Sequence, residues 1–219
     1  TKSATESINI IARQWLEPRL TTDDKIVVSE LEHHANLLPW QHITKKTGAT
    51  LVFIPTTKNG LLDYARISEI IDNQTKLVAV TLTSNALGTQ VDVMPIIKRA
   101  HEVGAAVLID ASQFVPHHHL DVKKLNADFV IFGSHKMLGP TGIGVLYIAQ
   151  KYHEQIEPYH FGGGIVSRVN YHEAQFLPMP ARLEAGSMPI AQAVGLAAAI
   201  DYLQSHDREK IVAHERALT

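Results

Sequence analysis

The chain has 219 residues, 45% of them hydrophobic and 19% charged, with a formal net charge of −2; that is enough sequence to bury a large core as one domain, with room for an appendage. The near-neutral balance and the scatter of Lys and Arg leave no electrostatic footprint for nucleic acid or an anionic membrane. Cysteine is absent, which removes disulfides, thiolate nucleophiles and thiolate metal ligands.

No apolar stretch reaches the roughly 20 residues that span a bilayer. Thr1-Lys2-Ser3-Ala4-Thr5-Glu6 has no signal-peptide hydrophobic region, so the expected location is cytoplasmic. The missing initiator Met and the helix-like start point to a fragment. Ser3-Ala4-Thr5-Glu6 fits a capping box ahead of Ile8, Ile11, Ala12, Trp15 and Leu16, and this spacing predicts a helix from about Ser3 or Ala4. The N-terminus of such a helix is a ready anion site. Lys25-Ile26-Val27-Val28-Ser29 and Thr50-Leu51-Val52-Phe53-Ile54 read as strands, with a helix over 40–46 between them.

Asn59-Gly60 marks a turn, residues 67–71 a short helical segment and 76–82 a strand. Pro95 suits the first turn of a helix through Ile96, Ile97, Ala100 and His101, which Gly104 ends before a strand over 105–110. Another strand covers 129–132. The tight turn Gly139-Pro140-Thr141-Gly142-Ile143-Gly144 leads into Val145-Leu146-Tyr147-Ile148, and its shortness favours an antiparallel return. Gly162-Gly163-Gly164 and Leu177-Pro178-Met179-Pro180 read as long loops, and Pro189 precedes a helix from about 190 to 206. Alternating strands and helices with nearly continuous apolar strands predict a mainly parallel sheet covered on both faces, the α/β class.

Two strand endings carry chemistry. Phe129-Val130-Ile131-Phe132 stops at Gly133-Ser134 and then exposes His135 and Lys136, while Val107-Leu108-Ile109 ends in Asp110. In an open α/β sheet ligands bind outside the carboxyl ends of the strands. Taken alone, Lys136 is a solvated lysine and Asp110 a helix cap or a salt-bridge partner. Taken together they suggest pyridoxal phosphate: a desolvated lysine is a Schiff-base amine, and a carboxylate keeps the pyridine nitrogen protonated so that the ring is an electron sink. That cofactor also needs a flat group against the ring, a donor to its phenolic oxygen, and dipoles or hydroxyls for its phosphate. Glu32-His33-His34-Ala35-Asn36 supplies an imidazole after a strand, Gln113 follows Asp110, and the 3–6 helix start offers backbone N–H groups and Thr5.

Glu32-His33-His34-Ala35-Asn36, Thr83-Ser84-Asn85-Ala86-Leu87-Gly88-Thr89, Asp110-Ala111-Ser112-Gln113, Ser134-His135-Lys136 and the 139–144 glycine turn occur in the order of a known family. From Thr5 to about Ser187 the chain resembles class V aminotransferase-type proteins, especially cysteine desulfurases of the SufS/CsdA type and selenocysteine lyases. The resemblance implies the large domain of a fold-type I pyridoxal-phosphate enzyme: a mainly parallel seven-stranded sheet flanked by helices, working as a homodimer. That domain would cover 1–205, N-terminally incomplete, with 206–219 starting the connection to a small C-terminal domain.

The resemblance also implies roles. Lys136 matches the cofactor-binding lysine, Asp110 the partner of the pyridine nitrogen, and His33 the ring-stacking histidine that shuttles protons. Gln113 matches the donor to the phenolic oxygen and Asn85 the asparagine beside cofactor and substrate. Thr5 and His135 match phosphate ligands, and Ser187, in Glu184-Ala185-Gly186-Ser187, the residue that reaches the phosphate of the partner subunit. Where these desulfurases read Ser-Gly-His-Lys the chain has Gly133-Ser134-His135-Lys136, so the Ser134 hydroxyl is displaced by one position. The substrate implied is L-cysteine or selenocysteine, yielding alanine, with a sulfur-acceptor protein as partner and iron-sulfur cluster assembly as the destination. The nucleophilic cysteine and the arginine for the substrate carboxylate would lie beyond Thr219, and the piece alone is expected to be inactive.

Rival readings are another class V enzyme, an epimerase or aminotransferase, and a catalytically silent domain for dimerisation or partner binding. Pro116-His117-His118-His119 is a loop rather than a metal site, since adjacent residues in an extended segment face opposite sides. The 139–144 turn precedes a strand, whereas a dinucleotide-binding glycine motif precedes a helix.

Overall fold

The computed structural model describes residues 1–218. Helix α1 (Ala4–Ile10) starts at Ser3, whose hydroxyl accepts from the Glu6 amide at 3.1 Å. The Glu6 carboxylate reaches one residue further back than a capping box requires, to the Lys2 amide at 2.7 Å. The helix continues through a π turn (Ile11–Leu16) and a 3-10 turn containing Pro18, which cannot extend it. Its apolar stripe is buried as the periodicity predicts.

The chain then runs β1 (Lys25–Ser29), α2 (Leu38–Thr47), β2 (Thr50–Ile54), α3 (Ile67–Ile70), β3 (Thr75–Thr81), α4 (Met94–Glu102), β4 (Ala106–Asp110), α5 (Val122–Leu125), β5 (Phe129–Gly133) and β6 (Gly144–Ile148). The strands form one sheet in the order β2-β1-β3-β4-β5-β6, parallel except for the antiparallel return of β6. Among the described residues the sheet has six strands rather than the seven that the resemblance implies. Past β6, Thr1 and Gly144 exchange backbone hydrogen bonds of 2.8 and 3.3 Å, a pairing too short to make a strand.

Successive strand residues face opposite sides of the sheet, and both sides are dry. Ile26, Val28, Leu77, Ala79, Leu108, Phe129 and Ile131 lie under α1, its π turn and α2. Val27, Val78, Val80, Val107, Ile109 and Val130 lie under α3, α4 and α6 (Ile190–Gln204). Two-sided burial is why the strands read as continuous apolar runs. Helix α7 (Arg208–Leu218) follows within the 206–219 segment. Among the described residues no helix is long and apolar enough to cross a membrane.

Besides α7, a hairpin and a short helix were not expected. β7 (Val166–Val169) pairs with β8 (Ala174–Phe176) as an exposed hairpin between the glycine run and the proline-rich stretch. It buries too little to impose an alternating apolar pattern. α5 is a single turn whose Asp121 carboxylate caps the amides of Lys123 and Lys124.

The amino-terminal edge of the sheet is closed by Asp128. Its carboxylate is 2% exposed and accepts from the Val107 amide at 2.8 Å and from Lys151 Nζ at 2.6 Å, with His101 Nε2 at 2.9 Å. Burial, and then this carboxylate, push the Tyr152 hydroxyl upward from its ordinary value. Replacing Asp128 with alanine strands the buried Val107 amide, while Lys151 and His101 keep access to water, and we expect a loss of about 1–3 kcal/mol in urea unfolding, with the carboxyl-end edge of the sheet unaffected.

Candidate functional site

β1 leads through α2 to β2 on one side, and the return through α3 lands β3 on the other side of β1. Connections that diverge in this way leave a crevice at the carboxyl ends of the two strands. Here the crevice is lined by Glu32 and His33 after β1 and by Ser84 and Asn85 after β3. One adjoining recess brings Thr5 beside His33 and His34, and another brings Asn85 beside Gln113. Thr5, His33, Asn85 and Gln113, far apart in sequence, therefore stand around one connected edge.

Local order fixes these groups. His33 precedes a 3-10 turn (His34–Asn36) and its Nδ1 accepts from the Ala35 amide at 3.1 Å. In the neutral ring that bond leaves the proton on Nε2. Asn85 is exposed on a turn pinned by Ser84, whose hydroxyl accepts from the amides of Ala86 and Leu87 at 3.3 Å. The Ser112 hydroxyl nearby is buried and has no hydrogen-bond partner.

Asp110 ends β4 and is 5% exposed; one carboxylate oxygen accepts from the Ser112 amide at 2.8 Å. It lies opposite Ile131 in the β4–β5 register, and β5 runs directly into the 3-10 turn Ser134–Lys136. A carboxylate and an amine thus finish neighbouring parallel strands. Lys136 is half-buried and His135 exposed. Ser134 is buried with its hydroxyl unpaired, turned under the following loop: a Cβ on Gly139 would lie 2.1 Å from it. Gly144 lets β6 approach the start of α1, since a Cβ there would lie 2.7 Å from the Ser3 carbonyl carbon. Ser187 is exposed on the loop before α6, where Gly186 N–H bonds to Gly163, and does not line these recesses. His117 bonds to Glu215 and His118 to Gln90, and among the described residues no cluster of His, Cys, Asp and Glu is arranged to hold a metal.

Glu32 is the one residue at this edge that takes a part not foreseen from residue order. Its side chain keeps some exposure as a whole, but the carboxyl group is enclosed and collects the Thr81 amide at 2.9 Å, Asn36 Nδ2 at 2.6 Å and the Ser29 hydroxyl. Burial pushes this carboxyl up to about 8, against those donors, and the Asp110 charge adds to the rise. Its sequence signal was faint: a charged residue just past an apolar strand reads as a solvated loop.

The result is a mainly parallel α/β protein with a crevice at the reversal of its strand order, lined by Glu32, His33, Ser84 and Asn85, on the sheet edge where Asp110 and Lys136 finish the neighbouring strands β4 and β5 without lining that crevice. The chain belongs to the class V aminotransferase family, whose model matches residues 1–219. It is 49% identical to a probable cysteine desulfurase of Streptomyces coelicolor, over all of this chain and 53% of that protein. It is 44% identical to a cysteine desulfurase of Haloferax volcanii, over all of this chain and 51% of that protein. Among solved structures it resembles the cysteine desulfurase CsdA from Escherichia coli, with a TM-score of 0.92 and 38% identity over 95% of this chain and 52% of that one. A cysteine desulfurase from Thermococcus onnurineus gives a TM-score of 0.90 and 41% identity, over 94% of this chain and 51% of that one. The chain spans about half the length of the curated relatives it matches.

A carboxyl raised from 4.5 in the unfolded chain to about 8 in the fold holds its proton more tightly when folded. Its contribution is therefore fully present below about pH 4.5 and is lost as pH rises toward 8. Glu32→Gln cannot ionise, so the wild type should lose stability relative to that variant by up to about 1 kcal/mol per pH unit across this window, measured by urea unfolding from pH 5 to 8.5.

Proposed function

We propose that this chain is the pyridoxal 5'-phosphate-binding part of a cysteine desulfurase or selenocysteine lyase-like enzyme that takes sulfur or selenium from L-cysteine or selenocysteine and leaves alanine. The carrying observation is the placement of Asp110 and Lys136 at the ends of adjacent strands, on the same sheet edge as the crevice lined by His33 and Asn85 and the recess lined by Asn85 and Gln113. The fit rests on donor chemistry: a buried carboxylate backed by a single amide bond, an amine one strand away, and an unpaired Ser112 hydroxyl between Asp110 and Gln113.

When bound, pyridoxal 5'-phosphate supplies an electron sink for charge released at the substrate α-carbon. Asp110 holds the proton on the ring nitrogen. Lys136 would hold the cofactor through Nζ, and its amine would be the group that moves a proton at the reacting carbon. The His33 imidazole would lie against the ring face, and with Nδ1 taken by the Ala35 amide, Nε2–H is the proton it could deliver. Gln113 donates to the phenolic oxygen, and Asn85 orients cofactor and substrate. Thr5, His135 and Ser134 hold the phosphate, with Ser134 the weakest of the three because its hydroxyl is turned under Gly139. Ser187 reaches the phosphate of the partner subunit, which makes the working form a homodimer. The thiolate that takes the sulfur, before a sulfur-acceptor protein in iron-sulfur cluster assembly receives it, must come from outside a chain with no cysteine. A cytoplasmic location belongs to the same reading.

Pyridoxal 5'-phosphate added to the chain should produce a visible absorption band that Lys136→Ala abolishes; a colourless wild type would favour the silent-domain reading. Asp110→Ala should weaken binding by roughly 10- to 100-fold, the worth of a charged hydrogen bond of about 1.5–3 kcal/mol. The chain alone should yield neither alanine nor persulfide from cysteine, and substantial product would require a different sulfur acceptor from the one proposed.

A further inference from the structure

We propose that Glu32 is a positioning residue that ties the His33 turn to the Asp110 strand end, its carboxyl acting as the last rung between β1 and β3 at the floor of the crevice. This rests on the reading of the crevice as a cofactor site.

The β1–β3 ladder stops at Val28 opposite Ala79, two residues short of Thr81, the last residue of β3. Alternate amides of a strand point to opposite neighbours. The Leu82 amide turns to β4 and bonds the Asp110 carbonyl at 3.0 Å, whereas the Thr81 amide turns toward β1, where no backbone partner remains. Glu32 fills that vacancy: its carboxyl accepts from Thr81 in place of a strand carbonyl. The same carboxyl takes Asn36 Nδ2, and Asn36 in turn donates its amide to the His33 carbonyl at 2.8 Å and accepts from Trp40 Nε1 at 3.1 Å. On the other side the Thr81 hydroxyl shares its proton between the Thr83 carbonyl at 2.9 Å and the Asp110 carbonyl at 3.2 Å, and the next amide, Leu82, donates to that same Asp110 carbonyl at 3.0 Å. A continuous hydrogen-bonded path therefore joins the residue proposed to face the ring to the residue proposed to hold its nitrogen. Without it, the two loops that diverge from the strand-order reversal have no other common partner on this path.

The groups facing the carboxyl are Ser29 from β1, Thr81 from β3 and Asn36 from the 3-10 turn, all neutral, with Asp110 from β4 as the charged neighbour. A carboxylic acid meets this setting without adding a second negative charge. As the acid it donates its proton to the Ser29 hydroxyl, which also accepts from the Leu31 amide at 3.2 Å, while its oxygens still accept from Thr81 and Asn36. Glutamine keeps the shape and the neutrality but brings its own N–H₂ against one of those two donors, so it restores the tie only in part.

The test compares wild type, Glu32→Gln and Glu32→Ala. Without cofactor, amide exchange at Thr81 should accelerate at least 10-fold in Glu32→Ala relative to amides of β4; unchanged exchange overturns the tie. With pyridoxal 5'-phosphate, the dissociation constant should rise about 10-fold in Glu32→Ala and about threefold in Glu32→Gln. The visible circular dichroism per bound cofactor, which reports ring orientation, should change in Glu32→Ala and largely recover in Glu32→Gln. A stability role alone would lower the bound fraction and leave that signal untouched, and this outcome overturns the positioning claim. If wild type forms no Lys136-dependent band, the cofactor reading fails and the Thr81 exchange alone decides the tie. Should Glu32→Ala not fold, Glu32→Gln carries the same comparisons at smaller amplitude.

Discussion

The strand-order reversal between β1 and β3 is the constraint from which the site follows. Five parallel strands put five chain exits on one edge of the sheet, and their connecting helices cover both faces. Where neighbouring exits depart to opposite faces, the chain leaves a gap it cannot fill with its own helices. Backbone amides at that gap lose their ladder partners, and buried amides must be paired with something. The Thr81 amide is the case in point: a side chain, not a strand, satisfies it. The crevice is thus both the opening for a ligand and the place where the sheet has the least support.

The two edges of the sheet divide the work. At the amino ends, Asp128 gathers an amide, a lysine and a histidine around a carboxylate that is almost fully enclosed. Trp15, Phe129 and Tyr152 meet beside it with ring centroids about 5 Å apart, anchoring the long N-terminal helix to β5. Polar groups there are turned inward on one another. At the carboxyl ends the opposite holds: the Ser112 and Ser134 hydroxyls are buried without partners, and His33, Asn85 and His135 face outward. Unspent hydrogen-bonding capacity at one edge only is what a ligand site looks like before its ligand is drawn in.

Much of this was legible from residue order, for a physical reason. Strands buried on both faces must be apolar throughout, so β1 and β2 could be bounded to the residue and β5 nearly so, and the short glycine turn after Lys136 left β6 little choice but to return antiparallel. The exposed β7–β8 hairpin left no such trace, because nothing in its burial demands an apolar pattern. That Lys136 and Asp110 end strands was readable from the residues; that those strands are neighbours was an expectation resting on the chemistry they would share, since strand order is a property of packing, and the β4–β5 register agrees with it. Ser134 shows another limit. Its hydroxyl lies next to the lysine in sequence, yet the close turn at Gly139 draws it beneath the loop. Glu32 was passed over because a carboxyl that loses its charge on burial is written with the same letter as one in solvent.

Why an acid stands at position 32, rather than an amide or a hydroxyl, follows from counting donors and charges. Two obligate donors, the Thr81 amide and Asn36 Nδ2, converge there beside a Ser29 hydroxyl that can give or take a bond, and neither a serine nor a glutamine can meet both donors with its oxygen while keeping the third contact. An ionised carboxylate would satisfy all three, but it would carry a charge into an enclosed position facing Asp110. The Asp110 charge disfavours ionisation of Glu32, and under the proposed cofactor reading a ring cation beside Asp110 would need a single counter-charge at a defined point. Keeping Glu32 protonated, with burial outweighing its donors, lets one group brace the crevice without competing for that role. The same protonation ties the brace to pH, because a proton bound with an affinity near 8 is surrendered in mildly alkaline solution, where the floor of the crevice then holds a second charge it was not built to face.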